Sequence, residues 1–343
     1  MAEFVAMAPQ RRIKVYKIHR DSDVHNYKEL YRFKKENVEW LAQHFLTETT
    51  ETRGGALSSE EKMRIFLRYI GDPGFQCGVA EDVGVSQSSV SNVIWEVATA
   101  VKEKARNWIQ FPTSTAALEA AKAEWQERYT FPHAIGAVDC THVLIRKPHA
   151  HGDEYVNRKG VASLNVQVTC NGNERFTSVN VNWPGSVHDA RIWKNSNVCR
   201  VMTGNNANAL LLGDEGYGIA PWLMTPYRNP ANAEQRAYNK CITKERVIIE
   251  RCFGQVKQRF PILQSKIRLS IDRVPSVILC CMILHNVAKH LQEEDYEIPE
   301  AENVIGEDDP VPGAVGEQEI MRIRERGQRK RDEIAQIIHD RQQ

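Results

Sequence analysis

Two acidic residues follow apolar runs that have the composition of buried strands. Asp139 stands in "GAVDCTH" behind small and apolar residues, and Asp214 follows the apolar run of "LLLGDEGYG". A carboxylate at the end of a buried strand is costly unless it is paired or bound to a cation. Sites in open α/β sheets form where strands end. The pattern predicts that the two acids lie side by side, although Asp214 could equally be an ordinary turn residue.

A third acid, Glu250, lies at the edge of the apolar stripe of a predicted helix, "TKERVIIERCFGQVKQRF", and thirty-five residues separate it from Asp214. Crowded carboxylates stay ionised only when a cation neutralises them. Oxygen ligands select Mg²⁺ or Mn²⁺, and two such ions can activate a water and stabilise the leaving 3′ oxygen of a phosphodiester. The spacing indicates metal-dependent phosphodiester cleavage by Asp139, Asp214 and Glu250. Alternatively, Glu250 only forms an i, i+4 pair with Arg246.

A fourth acid, Asp189, lies in "NWPGSVHDARIW", at or near the start of a predicted helix. If this helix begins beside the strand ends that bear Asp139 and Asp214, Asp189 is a further metal ligand. It could equally be a helix N-terminal residue that the helix dipole stabilises. His142 and His188 adjoin acids and could bind phosphate, but a hydrogen-bonded structural role is the simpler interpretation of each.

The stretches around these acids alternate between strand-like and helical patterns. Short runs rich in β-branched residues, separated by turn residues, begin after Pro132: "AIGAVDC", "HVLIRKP", "SLNVQVTC" and "RFTSVNVNWPG". A predicted helix and a further strand, "NALLLGDEGYG", follow, and the chain is then mostly helical to residue 290. This order predicts an α/β sheet with helices packed on it.

Ahead of the strands, "VAEDVGVSQSSVSNVIWEVATAV" has the spacing of a helix-turn-helix, in which Gly84 permits the left-handed turn. The outer face of the second helix is short, polar and uncharged, which suits contacts in a DNA groove. The residues predicted to make these contacts are Gln87, Ser88, Ser91 and Asn92. The region lacks the phosphate-binding bases that strong autonomous binding requires, and a plain all-α subdomain is the alternative.

Composition narrows the class of protein. The chain has 343 residues, of which 42% are hydrophobic and 26% charged, as in ordinary soluble globular proteins. No long apolar run or signal-peptide pattern opens the chain, which argues against membrane insertion and secretion. The eight cysteines include no C-x-x-C pair, so we expect reduced thiols in a cytosolic or nuclear protein and no structural zinc.

Charge is unevenly distributed although the net charge is only +1. Residues 234–290 hold eleven Lys or Arg against four Asp or Glu, whereas residues 291–310 hold nine acids and no base. The change indicates a basic working surface followed by an acidic linker, or simply two solvated surfaces of opposite sign.

These patterns divide the chain into six predicted segments. They are a polar and helical segment (1–55), a helix-turn-helix region (56–112), a helical linker (113–130), the α/β domain (131–290), an acidic linker (291–314) and a charged C-terminal helix (315–343).

Several linked motifs in one order resemble nucleases derived from PIF/Harbinger transposases, within the DDE endonuclease superfamily. The similarity is close over about 130–290 and looser over the helix pair and the closing "RGQRKRDEI". The motifs are "GAVDCTHVLIRKP", "YVNRKGVASLNVQVTC", "NWPGSVHDARIW", "LLGDEGYG", "WLMTPYRNP", "AYNKCITKERVIIERCFGQVKQRFPIL" and "LHNVAKH".

The resemblance implies an RNase H-like core, a mixed sheet with helices on both faces, and a divalent-metal site that cuts DNA. If the parent activity survives, a freed 3′ hydroxyl could go on to attack target DNA, which is strand transfer. The triad falls on Asp139, Asp214 and Glu250, with Asp189 as the additional ligand. Relatives of this kind also work with a separately encoded Myb/SANT-like protein that supplies DNA recognition and nuclear import, so we expect a nuclear and also cytoplasmic location. The bases expected to attract the DNA backbone are Arg158, Lys159, Arg246, Arg251, Lys257 and Arg259.

Two alternative functions remain open from the sequence. A domesticated, non-cleaving DNA-binding or scaffold protein could keep the same fold and the same acids. An RNA-cleaving RNase H-like enzyme would use similar chemistry on RNA–DNA hybrids. Whether the chain forms a homo-oligomer is not indicated by any of these patterns.

Overall fold

The computed structural model describes residues 27–48, 57–72, 75–204, 207–297 and 317–341. The predicted polar segment up to residue 26 and most of the predicted acidic linker lie outside these ranges. The helices are α1 (Tyr27–Tyr31), α2 (Lys35–Phe45), α3 (Ser59–Gly71), α4 (Gln76–Val83), α5 (Gln87–Glu103), α6 (Ala105–Trp108), α7 (Thr115–Gln126), α8 (Asp189–Lys194), α9 (Asn197–Thr203), α10 (Ala233–Arg259), α11 (Val274–His290) and α12 (Glu317–Asp340). The strands are β1 (Ala134–Leu144), β2 (Ser163–Cys170), β3 (Phe176–Pro184), β4 (Leu210–Leu212) and β5 (Leu223–Met224).

The strands form one mixed sheet in the order β3-β2-β1-β4-β5. β1, β2 and β3 are antiparallel neighbours, whereas β4 and β5 run parallel to β1. One face packs against α10 and α11, and the other packs against residues of α7, α8 and α9. The predicted α/β class, with helices on both faces and a helical region ahead of the sheet, is confirmed.

Asp139 lies in the middle of a strand, so the prediction that it ends one is wrong. β2 pairs with β1 from Ala137–Cys170 to Leu144–Ser163, and this pairing carries β1 five residues past Asp139. On the other side, β4 pairs with β1 only as far as Ala137–Leu212. Asp139 therefore comes two residues after β1 loses its β4 neighbour, at a point where one flank of the strand is open.

The helices ahead of the sheet share its core instead of forming a core of their own. α4 and α5 are joined by a short turn in which Gly84 has a φ of 75°, and the Ser86 hydroxyl accepts a hydrogen bond from Ser89 N at 3.1 Å to cap α5. α5 packs on α11, and one continuous apolar cluster extends from α1 through α5 into the sheet, α10 and α11. The helix pair is thus held rigidly against the α/β domain.

The first residues of the predicted acidic linker are packed on the domain, so the prediction of a linker from residue 291 is wrong up to 297. Glu293 is only 5% exposed and accepts hydrogen bonds from Lys34 N and Asn37 Nδ2, both at 2.7 Å. Asp295 pairs with Lys289 at 2.7 Å. These acids are used to bind the N-terminal helices rather than to hold two segments apart.

The predicted C-terminal helix is present as α12 and folds back on the domain. Ile334, Ala335 and Ile338 are buried in the shared core, and α12 packs along α10 and β5. Gly327 lies so close to Ala220 that a Cβ on it would be 2.9 Å from the Ala220 backbone. Within the described residues, no helix is long and apolar enough to cross a membrane.

The turn between β2 and β3 is held by one carboxylate. Glu174 accepts hydrogen bonds from Lys289 at 2.7 Å, Gln255 at 2.8 Å and Arg251 at 3.0 Å. Burial acts to raise the pKa of Glu174, but these three donors outweigh it and lower the pKa to about 2. The ionised carboxylate thus ties the hairpin to α10 and α11.

Glu174→Gln is expected to remove part of the acid sensitivity of the fold. Because the folded pKa is below the unfolded one, the ionised group stabilises the fold above about pH 4.5, and this contribution is lost as pH falls toward 2. The variant should be on the order of 2 kcal/mol less stable at pH 7 and should differ less from wild type as pH falls. Urea unfolding at a series of pH values measures this, with the exposed Glu127→Gln as control. An unchanged difference between wild type and variant from pH 7 to pH 3 would contradict it.

Candidate active site

Two of the predicted acids are brought together by the register of β1 and β4. Ala137 pairs with Leu212 in the parallel ladder, and Asp139 and Asp214 each follow two residues later on adjacent chains. Gly213 ends β4, and the Asp214 carboxylate accepts a hydrogen bond from Gly216 N at 3.1 Å in the turn that follows. Asp214 thus begins a turn two residues after the last β1–β4 pair.

The carboxyl group of Asp139 has a perturbed pKa. Burial, the negative charge of Asp214 and, to a smaller extent, that of Asp189 together raise the pKa of Asp139 to about 7. Arg246 and the backbone N–H of Cys140, which donates at 2.7 Å, act in the opposite direction. Burial and the charges of the neighbouring acids therefore make the ionised form of Asp139 unfavourable.

Arg246 links the strand acid to the helix acid. Its Nη1 is 3.3 Å from an Asp139 oxygen, and its Nη2 is 2.7 Å from a Glu250 oxygen. The i, i+4 pair on α10 that the sequence offered as an alternative for Glu250 does form, but the same guanidinium also reaches Asp139 across the cleft. The Glu250 side chain is 46% exposed and that of Asp139 is 17% exposed. A positive group thus already lies between two of the predicted ligands.

Asp189 reaches the site from the other face of the sheet. It is the first residue of α8 and accepts a hydrogen bond from Asn165 Nδ2 at 2.8 Å. Cys140, the residue after Asp139, points to this face, where its sulfur is 3.3 Å from the buried Tyr217 hydroxyl. Burial and the charge of Asp189 raise the pKa of the Cys140 thiol. Asp189 is both a helix N-terminal residue and a neighbour of Asp139.

Basic side chains surround the acids on the remaining side. Burial lowers the pKa of His142, with Asp189 opposing the shift and Arg158, Lys257 and Lys159 adding to it, so these charges lie near one another. His142 has a structural partner, because its Nδ1 is 3.0 Å from the Ser163 hydroxyl. Lys257 Nζ donates to the Thr141 hydroxyl at 2.7 Å, two residues beyond Asp139 on the same strand face.

Two of the predicted DNA-contacting arginines have other partners. Arg259 is 2% exposed, and its guanidinium donates to the carbonyl oxygens of Arg32 at 2.8 Å and Glu294 at 2.7 Å. Its predicted DNA contact is wrong for this structure, because α1 and the chain after α11 cover that end of α10. Arg251 remains half-exposed but pairs with Glu174 at 3.0 Å.

The helix-pair residues predicted to contact DNA lie apart from the acids, on the outer side of α5. Gln87, Ser88 and Asn92 are exposed, and Ser91 is half-buried. Their contact with DNA stays a prediction, and it concerns a surface other than the acidic cleft.

The donor set suits a hard divalent cation. In the described part of the chain, no three His, Cys, Asp or Glu side chains are close enough together to hold a metal ion. The raised pKa of Asp139 nevertheless reflects burial and a repulsion from Asp214, and a bound cation would offset both. The Arg246 guanidinium stands where positive charge is required, between Asp139 and Glu250. The metal ligands predicted from sequence therefore remain a prediction with which the local electrostatics agree.

Three features of the site were not predicted from the sequence. These are the second contact of Arg246, the buried Tyr217 hydroxyl beside Cys140, and the Lys257–Thr141 hydrogen bond. Tyr217 stands in the glycine-rich stretch directly after Asp214, and this closeness in sequence to a predicted ligand could have identified it as a site residue. The contacts of Arg246 and Lys257 join residues more than a hundred positions apart and have no local signal.

Comparisons with known proteins relate this part of the chain to nucleases. Residues 138–286, which contain all four acids, match the family described as "DDE superfamily endonuclease". The chain is 31% identical over 266 residues to the Homo sapiens protein named "Putative nuclease HARBI1", covering 76% of each chain. It is 24% identical over 309 residues to the Arabidopsis thaliana "Protein ALP1-like", covering 85% of this chain and 72% of the relative. No solved structure gives a significant match.

Proposed function

The chain belongs to the DDE superfamily endonucleases that derive from Harbinger transposases, and from that premise we propose that it hydrolyses DNA phosphodiester bonds with a divalent metal ion. The observation that carries this proposal is that Asp139 lies next to Asp214 on one side and is linked to Glu250 on the other. Asp139 and Asp214 follow a shared register on β1 and β4, and Arg246 joins Asp139 to Glu250.

Each acid has a distinct part in the proposed chemistry. Asp139, with its open flank, would be the ligand on the sheet, and Asp214 and Glu250 would be the ligands from the turn after β4 and from α10. Asp189 would contribute from the other face, positioned by Asn165. Bound Mg²⁺ or Mn²⁺ supplies an activated water and stabilises the leaving 3′ oxygen. The Arg246 guanidinium, which contacts both Asp139 and Glu250, would neutralise part of the charge of a phosphate bound at these acids.

The basic side of the cleft supports DNA as the substrate. Arg158 and Lys159 are exposed in the turn ahead of β2, and Lys257 lies beside Thr141. These three positive side chains lie around His142, near Asp189, so they can draw a phosphate backbone toward the acids. Without these positive side chains, the carboxylates of the cleft would repel the DNA phosphates.

A plasmid-nicking assay tests the proposal and uses adjacent acids as a matched pair. Wild type is expected to relax supercoiled plasmid with Mg²⁺ or Mn²⁺ and not with EDTA. Asp214→Asn should lower the nicking rate by about 10²-fold or more because it removes a ligand charge. Glu215→Gln alters the next residue, which is exposed and pairs with Arg228, and should nick at a rate close to that of wild type.

Other results would favour the alternative functions. Duplex binding by wild type without any nicking in either metal would support a non-cleaving scaffold instead. Faster cleavage of RNA–DNA hybrids than of duplex DNA would indicate an RNA-cleaving enzyme. Equal nicking by Asp214→Asn and Glu215→Gln would show that the cutting does not come from this cleft.

A further inference from the structure

The outer face of α5, formed by Gln87, Ser88, Ser91, Asn92 and Trp95, carries short uncharged polar groups and one large aromatic ring. Trp95 is 40% exposed, which is unusual for so large an apolar side chain on a monomer surface. The face has no base of its own. A surface of this kind can follow the edges of base pairs but cannot hold phosphates.

A stretch of the α/β domain, residues 265–273, brings bases to this face. We call it the basic segment. The Arg268 guanidinium lies 4.1 Å from the ring centre of Phe75, just before α4, and the Arg273 guanidinium lies 5.1 Å from the ring centre of Trp95. Phe75 is 59% exposed. Both stacks lie at the surface and hold guanidinium groups against the helix pair.

The positive charges of the basic segment are not matched by acids. Lys266 and Arg268 are exposed and Arg273 is half-buried. None of the three forms an ion pair with another residue that the structure describes, and Asp272 is the one acid within the segment. Glu96, the nearest acid on α5, is already paired with Lys62 at 2.7 Å. Three cations beside an uncharged face therefore keep their capacity to bind an anion.

The basic segment is also connected to the strand that carries the first acid. Ile267 forms a parallel bridge with Ile145, directly beyond the end of β1, and a cavity of about 190 Å³ lies between the segment and the start of the helix pair. Gln87, Lys266 and Arg268 line this cavity. Six residues of extended chain separate Asp139 from Ile145, or about 20 Å, which corresponds to about six base pairs of duplex.

We propose that the outer face of α5 and the basic segment form one docking surface for duplex DNA, separate from the cutting cleft. The polar face of α5 lies along a groove, and Lys266, Arg268 and Arg273 hold the flanking phosphates. The bases that the helix pair lacks in sequence are supplied by the α/β domain. The inference rests on the proposed function, since it assigns a second contact with the same DNA.

Chemistry favours duplex DNA over an acidic protein as the occupant. Groove edges are recognised by short uncharged side chains that can both donate and accept hydrogen bonds, as serine and amide groups do. An acidic protein would instead leave the outer face of α5 without matching charge. The cations of the basic segment are held at fixed positions beside the uncharged face of α5, and this arrangement fits the regular phosphate backbone of a duplex.

The test is equilibrium binding of the full chain to a fluorescent duplex in EDTA, over a series of salt concentrations. The variant Lys266→Gln/Arg268→Gln/Arg273→Gln is expected to bind at least about 10-fold more weakly at physiological salt. Its plot of log affinity against log salt should be shallower by about 2.7, which is three phosphate contacts at about 0.9 each. Both aromatic rings are left in place.

Two controls separate charge from folding. Lys35→Gln/Arg106→Gln/Lys240→Gln removes the same charge from exposed positions elsewhere and should leave the salt slope close to that of wild type. Arg268→Lys/Arg273→Lys keeps the charge while weakening the stacks, and it should keep the slope and most of the affinity. Thermal unfolding of each variant shows whether the fold is intact.

The outcomes distinguish this inference from the proposed function. Weaker binding in the triple variant supports the docking surface even if wild type cuts nothing, whereas Asp214→Asn should bind normally. Binding equal to that of the charge-matched control, or no binding of duplex by wild type, overturns the inference. Tighter binding of polyglutamate than of duplex would overturn it in favour of an acidic protein partner.

Discussion

Asp139→Asn should reduce metal-dependent nicking by about 10³-fold or more while leaving the protein folded. The substitution keeps the size of the side chain and removes the negative charge on which several kcal/mol of transition-state stabilisation would depend. Each factor of ten in rate corresponds to about 1.4 kcal/mol. The rate of plasmid relaxation under single-turnover conditions measures the loss. Asp153→Asn, in an exposed 3-10 helix, is the control and should retain full activity.

The same variant provides a check that is independent of activity. Burial and neighbouring acids raise the pKa of Asp139 to about 7, so its ionised form weakens the fold above that pH when no cation is bound. Asp139→Asn should therefore melt at the same or a higher temperature than wild type at pH 8 in EDTA. A variant that melts lower would mean that lost activity reflects misfolding, and nicking at the wild-type rate would exclude Asp139 from catalysis.

Glu245→Ala should be the most destabilising single change near the site. The Glu245 side chain is 3% exposed and accepts hydrogen bonds from Trp125 Nε1 at 3.0 Å, Thr130 N at 2.7 Å and Phe131 N at 3.0 Å. Its loss leaves these buried donors unpaired, at a cost of about 3–5 kcal/mol. We expect the melting temperature to fall by about 10 °C. Differential scanning calorimetry measures the change.

The effect of Glu245 should extend to the cleft. Glu245 joins α10 to the chain that enters β1, and Arg246, the next residue, contacts Asp139. The exposed Glu39→Ala on α2 is the control and should change stability by less than about 0.5 kcal/mol. If Glu245→Ala melted within 2 °C of that control, the hydrogen-bond account of this residue would be wrong.

Sequence was most informative where chemistry and spacing are local. The acids, the helix that carries Glu250 and the turn at Gly84 follow from apolar runs, helix periodicity and turn residues. The class of the fold follows from the order of strand-like and helical stretches. Each of these signals lies within a few neighbouring positions, so the side chains alone specify it.

Sequence was misleading where a distant element decides the outcome. The length of β1 depends on its pairing with β2, which continues past Asp139. The pairing of β1 with β4 has already ended there. Arg259 was expected at the surface because it is charged, but the chain after α11 covers it. The bases missing from the helix pair lie in residues 265–273, about 180 positions further along. None of these contacts has a local pattern from which it could be read.

The docking of α12 on α10 has a consequence for shortened forms of the protein. Ile334, Ala335 and Ile338 complete the apolar cluster that includes the helix bearing Glu250. A chain cut between α11 and α12 would leave one side of that helix exposed to water. Such a fragment should therefore be prone to aggregation, even though it contains every acid of the cleft.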